Sequence, residues 1–339
     1  MASDVTDVTK DAASPGFNYY GRWHRGKMAV TINSGALVEF AYTGRECSLV
    51  FDVKGFTQFP AIFVQTDGGT VSRTTLAAKV SSVSVTPDLK QVGPLHLVRC
   101  WVAAHSLYQT PVAGKQWETL DGGCRFLGVI LENGELVPLP YGKEQIEFLG
   151  DSITQGLRLL YNGKDDDTGQ QEPFVNWPQL TAENLFVKPI VTGFGGQGLS
   201  TPGTCGAPSA NESFSFVFKA VPWRPPVEPR AVVIYQGTND GIPAPAFQDA
   251  YYTYLQTIRQ AYPAALILAV CPHGKGNYAS AIQAAVTKMA DARIAFLDYS
   301  SGVISTKETS DGCHLNRDGA VRLAARVTKD LQARMGSGK

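Results

Sequence analysis

Between residues 17 and about 139, apolar positions come in short runs: 28–32, 36–40, 47–53, 60–65, 80–85, 96–102 and 125–131. Several alternate apolar with polar, and several are β-branched, which is the period of a strand with one buried face. Turn residues punctuate them at Asn33-Ser34-Gly35, Asp67-Gly68-Gly69, Pro87-Asp88, Asp121-Gly122-Gly123 and Glu132-Asn133-Gly134. Short strands at near-regular spacing, with no helical run among them, predict an antiparallel β-sandwich of jelly-roll type over 17–140. The small polar residues 1–16 are expected to form a loose leader.

The period changes at Pro138-Leu139-Pro140-Tyr141-Gly142. From 143 to 335, short apolar runs (145–149, 188–192, 231–235, 265–270, 293–297) alternate with helical patterns. One helix is expected over 177–184, capped by Asn176 with Pro178 in its first turn. A second covers 245–261, where Phe247, Tyr251, Leu255, Ile258 and Tyr262 fall at helical spacing before Pro263. A third runs over 317–335, with Ala320, Ala324, Val327, Leu331 and Met335 on one stripe. Apolar strands alternating with amphipathic helices predict a parallel sheet covered on both faces. The stretch 199–230 is too long for a bare loop in a compact domain, and 213–219 is expected to carry structure of a kind the pattern does not settle.

Composition removes other classes. The 339 residues are 44% hydrophobic and 18% charged, enough to bury sizeable cores. Residues 1–142 hold 12 basic and 12 acidic side chains, and 143–339 hold 18 of each. Neither half has the basic excess of a nucleic-acid module, so no nucleic-acid partner is expected. No apolar run reaches the roughly 18 residues of a membrane span, and no membrane partner is expected. The first residues lack a charged n-region and an apolar h-region, which points to a cytoplasmic chain or to a secreted one whose signal has been removed. Six dispersed cysteines contain no C-x-x-C pair, so no zinc ribbon is expected. Buried thiols are the simpler reading, with one or two disulfides left open.

In an open parallel sheet, ligands bind beyond the carboxyl ends of the strands. The segments that follow the expected strands there are Gly150-Asp151-Ser152-Ile153-Thr154, Gly193-Phe194-Gly195-Gly196-Gln197-Gly198 and Gln236-Gly237-Thr238-Asn239-Asp240. Asp311-Gly312-Cys313-His314 precedes the last helix. Together they supply acyl-transfer chemistry. Ser152 is the candidate nucleophile, and a free hydroxyl needs a base within hydrogen-bond reach. His314 is the candidate base, and Asp311, three residues earlier, can hold its ring. The Ser152 N–H, a glycine N–H from the second segment and the Asn239 amide are candidate oxyanion donors. No metal or cofactor is called for.

These four blocks, in this order, resemble those of the SGNH (GDSL) hydrolase superfamily over residues 143–335. The resemblance implies a three-layer, flavodoxin-like α/β domain. It implies Ser152, Asp311 and His314 as catalytic residues, and Ser152, Gly196 and Asn239 as the oxyanion hole. The context Gly-Asp-Ser-Ile-Thr differs from the G-x-S-x-G of α/β-hydrolases. Upstream, Tyr20-Gly21-Arg22-Trp23, the run from Val38 to Gly44, Gly93-Pro94-Leu95-His96-Leu97-Val98 and Phe126-Leu127-Gly128 resemble the jelly-roll module of carbohydrate esterase family 2. That implies removal of acetyl groups from an acetylated carbohydrate. Lipase or thioesterase action on longer acyl chains, and an inactive carbohydrate-binding protein, are the rival readings.

Read singly, the same residues have plainer roles. Ser152 is an ordinary helix cap, Asn239 a turn residue, and Asp311 with His314 a capped helix start. Asp151 is expected to brace its loop. His273, Trp223 and Trp177 are carried as candidate substrate-binding residues, each with incidental packing as the alternative. His24, His96 and His105 are expected to be structural. Asp165-Asp166-Asp167 lacks the spacing of a calcium loop and reads as solvated.

Overall fold

The computed structural model describes residues 8–336 except 57, 78–79, 86–94, 104–115, 162 and 164–169. The Pro87-Asp88 turn, Gly93-Pro94, His105 and Asp165-Asp166-Asp167 lie outside the described residues.

Two antiparallel sheets form the N-terminal part. One runs in the order His24–Arg25, Ala29–Thr31, Cys124–Glu132, Glu46–Asp52, Val80–Ser84, and Lys10–Asp11 adds to Cys124–Glu132. The other runs Leu136–Val137, Ala36–Tyr42, His96–Ala103, Ala61–Thr66, Ser72–Thr75, with Asn18–Tyr20 on Ala36–Tyr42. Neighbours in space are distant in sequence, as in a jelly roll. Phe17, Phe40, Phe51, Phe126 and Val129 meet in the core between the sheets. Phe17 and Phe126 pack edge to face with centroids 5.4 Å apart, the arrangement the ring quadrupoles favour. The expected loose leader is corrected in its last part. Lys10 and Asp11 pair with Val129 and Gly128, and Ala12 is buried.

The C-terminal part is a parallel sheet of β1 (Gln145–Gly150), β2 (Lys188–Gly193), β3 (Ala231–Tyr235), β4 (Leu266–Cys271) and β5 (Ile294–Asp298). Their spatial order is β2-β1-β3-β4-β5, so the chain reverses direction across the sheet between β1 and β3. Among the described residues, six helices accompany the sheet: α1 (Ser152–Gln155), α2 (Trp177–Leu185), α3 (Ala210–Ser213), α4 (Ala244–Ala261), α5 (Ala279–Met289) and α6 (Arg317–Met335). Alternate residues of one strand serve opposite layers. Val232 and Ile234 of β3 pack with Phe247, Leu255 and Ile258 of α4 and Ile282 of α5. Val233 and Tyr235 pack with Trp177 of α2 and Leu323 and Val327 of α6. The stretch 199–230 holds the single turn α3 and a two-stranded hairpin, Phe216–Phe218 with Val221–Pro222.

The two parts share buried surface. Leu37, Phe63 and Trp101, on the outer face of the second sandwich sheet, pack with Tyr141 and Phe174. The Trp101 indole N–H donates to Gln179 Oε1 at 3.1 Å. No disulfide forms among the described residues, and five of the six cysteines are buried. No helix among the described residues is long and apolar enough to cross a membrane.

Candidate active site

The chain reverses between β1 and β3, and the carboxyl ends of such a pair are where doubly wound sheets bind ligands. β1 runs into Asp151 and then α1, so Ser152 is the first residue of a one-turn helix, 4% exposed. Asp151, not Ser152, is the cap: its Oδ1 accepts the Ile153 N–H at 2.9 Å. Burial pushes the Asp151 carboxyl up to about 6, against the pull of that N–H. The turn is crowded by the end of β2. A Cβ on Gly193 would stand 2.6 Å from the Asp151 carbonyl oxygen, so only glycine lets the two strand ends approach this closely.

His314 lies 162 residues further on, yet its Nε2 is 2.9 Å from Ser152 Oγ. Its Nδ1 is 2.8 Å from Asp311 Oδ2. A carboxylate accepts only, so Nδ1 carries the proton and Nε2 is free to accept from the serine hydroxyl. The other carboxylate oxygen, Oδ1, accepts the backbone N–H groups of Cys313 at 3.1 Å and His314 at 2.8 Å. Thr309 and Leu315 bridge across the loop, and the Ser310 N–H donates to the His314 carbonyl at 2.8 Å. Asn316 then caps α6 through the Gly319 N–H. The loop is thus tied to itself and to a long helix before it reaches the serine.

Arg158 completes this line. Its Nη1 donates to Asp311 Oδ2 at 2.9 Å, from a loop six residues beyond Ser152, and its own backbone has a left-handed φ of 57°. Desolvation pushes the Asp311 carboxyl upward. The His314 N–H, the Arg158 guanidinium and the His314 ring outweigh it and hold the group well below the usual carboxylate range. A carboxyl depressed in the folded state stabilises the fold above its unfolded value of about 3.9 and loses that contribution as pH falls below it. The advantage of the native chain over Asp311→Asn in urea midpoint is therefore expected to be full near pH 7 and to shrink progressively below about pH 4. A constant difference across that range would contradict the reading.

The β2–α3 segment approaches from the other side. Asn239, after β3, donates through Nδ2 to the Gln197 carbonyl at 3.0 Å and to Asp151 Oδ2 at 3.3 Å. Its amide therefore spans the residue before Ser152 and the residue after Gly196. Gly196 is exposed with φ of 68°, a left-handed backbone that glycine adopts without strain. Among the described residues its N–H donates to no backbone carbonyl. Asp240 fixes this segment by accepting from the N–H groups of Leu199 and Ser200. No group of three His, Cys, Asp or Glu among the described residues is placed to hold a metal ion.

Three sequence candidates fall elsewhere. Trp177 is fully buried between Phe148 and Tyr235 and cannot stack on a sugar. Trp223 packs over the Arg22 guanidinium at 4.8 Å and lines a cavity of about 270 Å³ with Tyr19, Trp23 and Pro226. None of Ser152, His314 or Asn239 lines that cavity, so Trp223 belongs to the seam between the two parts. His273 stands next to the His314 loop, but both ring nitrogens are engaged by protein, at Tyr235 Oη and the Cys313 carbonyl. It has no ring nitrogen to offer a substrate. Arg158 escaped the sequence reading, since a lone arginine six residues past a motif carries no local signal.

A profile of the GDSL-like lipase/acylhydrolase family matches residues 148–322, which hold all four motif segments. The chain belongs to this family. A search of curated protein sequences returns no match. Among solved structures, a family two carbohydrate esterase from Clostridium thermocellum in complex with cellohexaose is 21% identical with a TM-score of 0.79, over 95% of this chain and 99% of that one. A family two carbohydrate esterase from Cellvibrio japonicus is 18% identical, TM-score 0.79, over 96% and 97%. An acetyl xylan esterase from the rumen bacterium Butyrivibrio proteoclasticus is 15% identical, TM-score 0.78, over 96% and 99%. The jelly roll followed by a parallel-sheet hydrolase is thus the fold of those enzymes along nearly the whole chain.

Proposed function

We propose that this GDSL-family chain is a serine esterase that removes acetyl groups from carbohydrate. The observation that carries the reading is the unbroken line from Ser152 Oγ to His314 (2.9 Å) and from His314 to Asp311 (2.8 Å). Ser152 Oγ attacks the acetyl carbon as His314 Nε2 takes its proton. Asp311 holds the ring and stabilises the imidazolium. The tetrahedral oxyanion is met by the N–H groups of Ser152 and Gly196 and by Asn239 Nδ2, preorganised donors that need little rearrangement. Asn239 is half-free for this, because its 3.3 Å bond to Asp151 is long and yields to a full negative charge. The carbon–oxygen bond to the sugar breaks, and His314 returns its proton to the departing alcohol. Water then attacks the acetyl-enzyme with His314 again as base, giving acetate and free Ser152.

The carbohydrate half of the reading draws on two supports. The architecture is that of the family two carbohydrate esterases along nearly the whole chain. An uncharged acetylated glycan also needs no electrostatic capture, which fits a formal net charge of zero. Acetate release from acetylated xylan, acetylated glucomannan and simple sugar acetates tests it, alongside 4-nitrophenyl acetate, butyrate and octanoate. Acetate esters are expected to be turned over fastest. Faster cleavage of the longer chains would replace this reading by a lipase or thioesterase.

A further inference from the structure

His273 and Tyr235 tie the ends of β3 and β4 to the loop that carries His314. Tyr235 is the last residue of β3 and is wholly buried. His273 follows β4 by two residues. The His273 backbone N–H donates to Tyr235 Oη at 3.2 Å, and Tyr235 Oη lies 2.8 Å from His273 Nδ1. On the far side of the ring, Nε2 lies 2.8 Å from the Cys313 carbonyl oxygen. These partners leave one consistent assignment for a neutral ring. A carbonyl oxygen only accepts, so Nε2 carries the proton. Nδ1 is then the acceptor, and the tyrosine O–H must point at it while its oxygen takes the His273 N–H. Burial lowers the His273 pKa, which favours that neutral ring.

The acceptor at the end of this chain matters more than its length. The Cys313 carbonyl and the His314 N–H belong to one peptide group. Its carbonyl end is held by His273, and its N–H end by Asp311 Oδ1 at 2.8 Å. A peptide group is planar and rigid, so bonds at both edges fix its rotation. That rotation sets the direction in which the His314 Cα launches its ring toward Ser152. Donation into the carbonyl also polarises the peptide and strengthens its N–H as a donor to Asp311.

We infer that His273, oriented by Tyr235, is a positioning residue that sets the His314 ring against Ser152 by clamping the Cys313–His314 peptide. The inference rests on Ser152 and His314 being the reacting pair. Leucine at 273 removes the clamp, whereas glutamine can place its amide N–H near the position of Nε2. With the full chain and 4-nitrophenyl acetate, His273→Leu is expected to lower kcat about 10- to 100-fold with KM changed less than about twofold, the signature of misplacement and not of lost binding. His273→Gln is expected to recover kcat to within about fivefold of the native chain. Tyr235→Phe, which frees the ring to adopt the other tautomer, is expected to fall between the two. Thermal unfolding of each variant separates a clamp from a general loss of structure. A kcat for His273→Leu within about twofold of native, or a KM rise with kcat unchanged, overturns the inference. So does His273→Gln falling as far as His273→Leu with unfolding unchanged.

A second measurement keeps this apart from the function itself. The downfield proton resonance of His314 Nδ1–H, identified by its loss in His314→Gln, reports the Asp311 bond without any substrate. It is expected to shift and broaden in His273→Leu and to be restored in His273→Gln. If the native chain cleaves no ester yet the resonance behaves this way, the clamp stands and the proposed function falls. If esters are cleaved and the resonance is the same in all three proteins, the clamp falls and the function stands.

Discussion

Replacing Ser152 by alanine is expected to lower turnover of a small acetate ester by about 10⁴-fold or more while leaving the fold intact. The size follows from what the side chain does. Without Oγ there is no atom to attack the acyl carbon, and the base at 2.9 Å has no proton to take. The proposed oxyanion donors remain, so the residual rate is expected to reflect their stabilisation of direct attack by water and not zero catalysis. The fold is spared because the change deletes one oxygen at the first position of a helix, where alanine is well accommodated. His314 is left without its partner, but its side chain is 15% exposed and water can replace the hydroxyl. Unfolding free energies are therefore expected to differ by less than about 1.5 kcal/mol. A Ser152→Ala protein with activity within tenfold of native would remove the serine mechanism.

The candidate site was legible in sequence to the extent that sheet topology concentrates it. Ser152, Gly196 and Asn239 each follow a strand of one parallel sheet, and a parallel sheet sends all its carboxyl ends to one rim. Asp311 and His314 sit three apart on one loop, so their pairing is local. Contacts between loops gave no such signal. Arg158 reaches Asp311 across 153 positions, and His273 reaches Cys313 across 40. Nothing in the spacing of either residue distinguishes a loop arginine or histidine that finds a partner on another loop from one that faces water. Trp177 failed for the converse reason. An aromatic after a capping Asn looks the same whether its helix face turns to the cleft or to the sheet, and here it turns to Phe148 and Tyr235.

The fold shows the same division. The strand Ala36–Tyr42 does not alternate in burial: all seven residues are inside. Val38, Phe40 and Tyr42 face the sandwich core, and Leu37 faces the hydrolase part. Glu39 is held by Arg99 and Lys188, which lets a carboxylate lie on the covered face. The short strands and the α/β alternation come through because each buries its own apolar set. Helix α5 was not among the expected helices. Its sequence, ASAIQAAVTKM, has few large apolar residues to mark a stripe, and alanine packs closely without announcing a face. Lys10–Asp11 gives no strand signal, because a two-residue polar strand has no period at all.

The junction between the two parts carries the second large effect. Arg22, from the N-terminal part, and Glu147, on β1, pair at 3.0 Å with side-chain exposures of 1% and 0%. Arg22 also donates to the carbonyl oxygens of Phe216 at 2.9 Å and Ser213 at 3.3 Å, and its guanidinium packs against Trp223 and Phe214. Arg22→Met keeps much of the side-chain volume and deletes the charge, leaving an uncompensated carboxylate with no access to water. Removing one partner of such a pair costs about 3–5 kcal/mol, and Arg22→Met is expected to lose that much in urea unfolding. The pair itself is worth far less than this, because both charges were desolvated to form it. Arg22→Met with Glu147→Leu is accordingly expected to recover most of the loss, and the double-mutant cycle should show strong coupling. Glu147 stands three residues before Gly150 on the strand that delivers Ser152. If the single variant loses less than about 1 kcal/mol, or the double variant loses the sum of two independent penalties, the junction is not held by this pair.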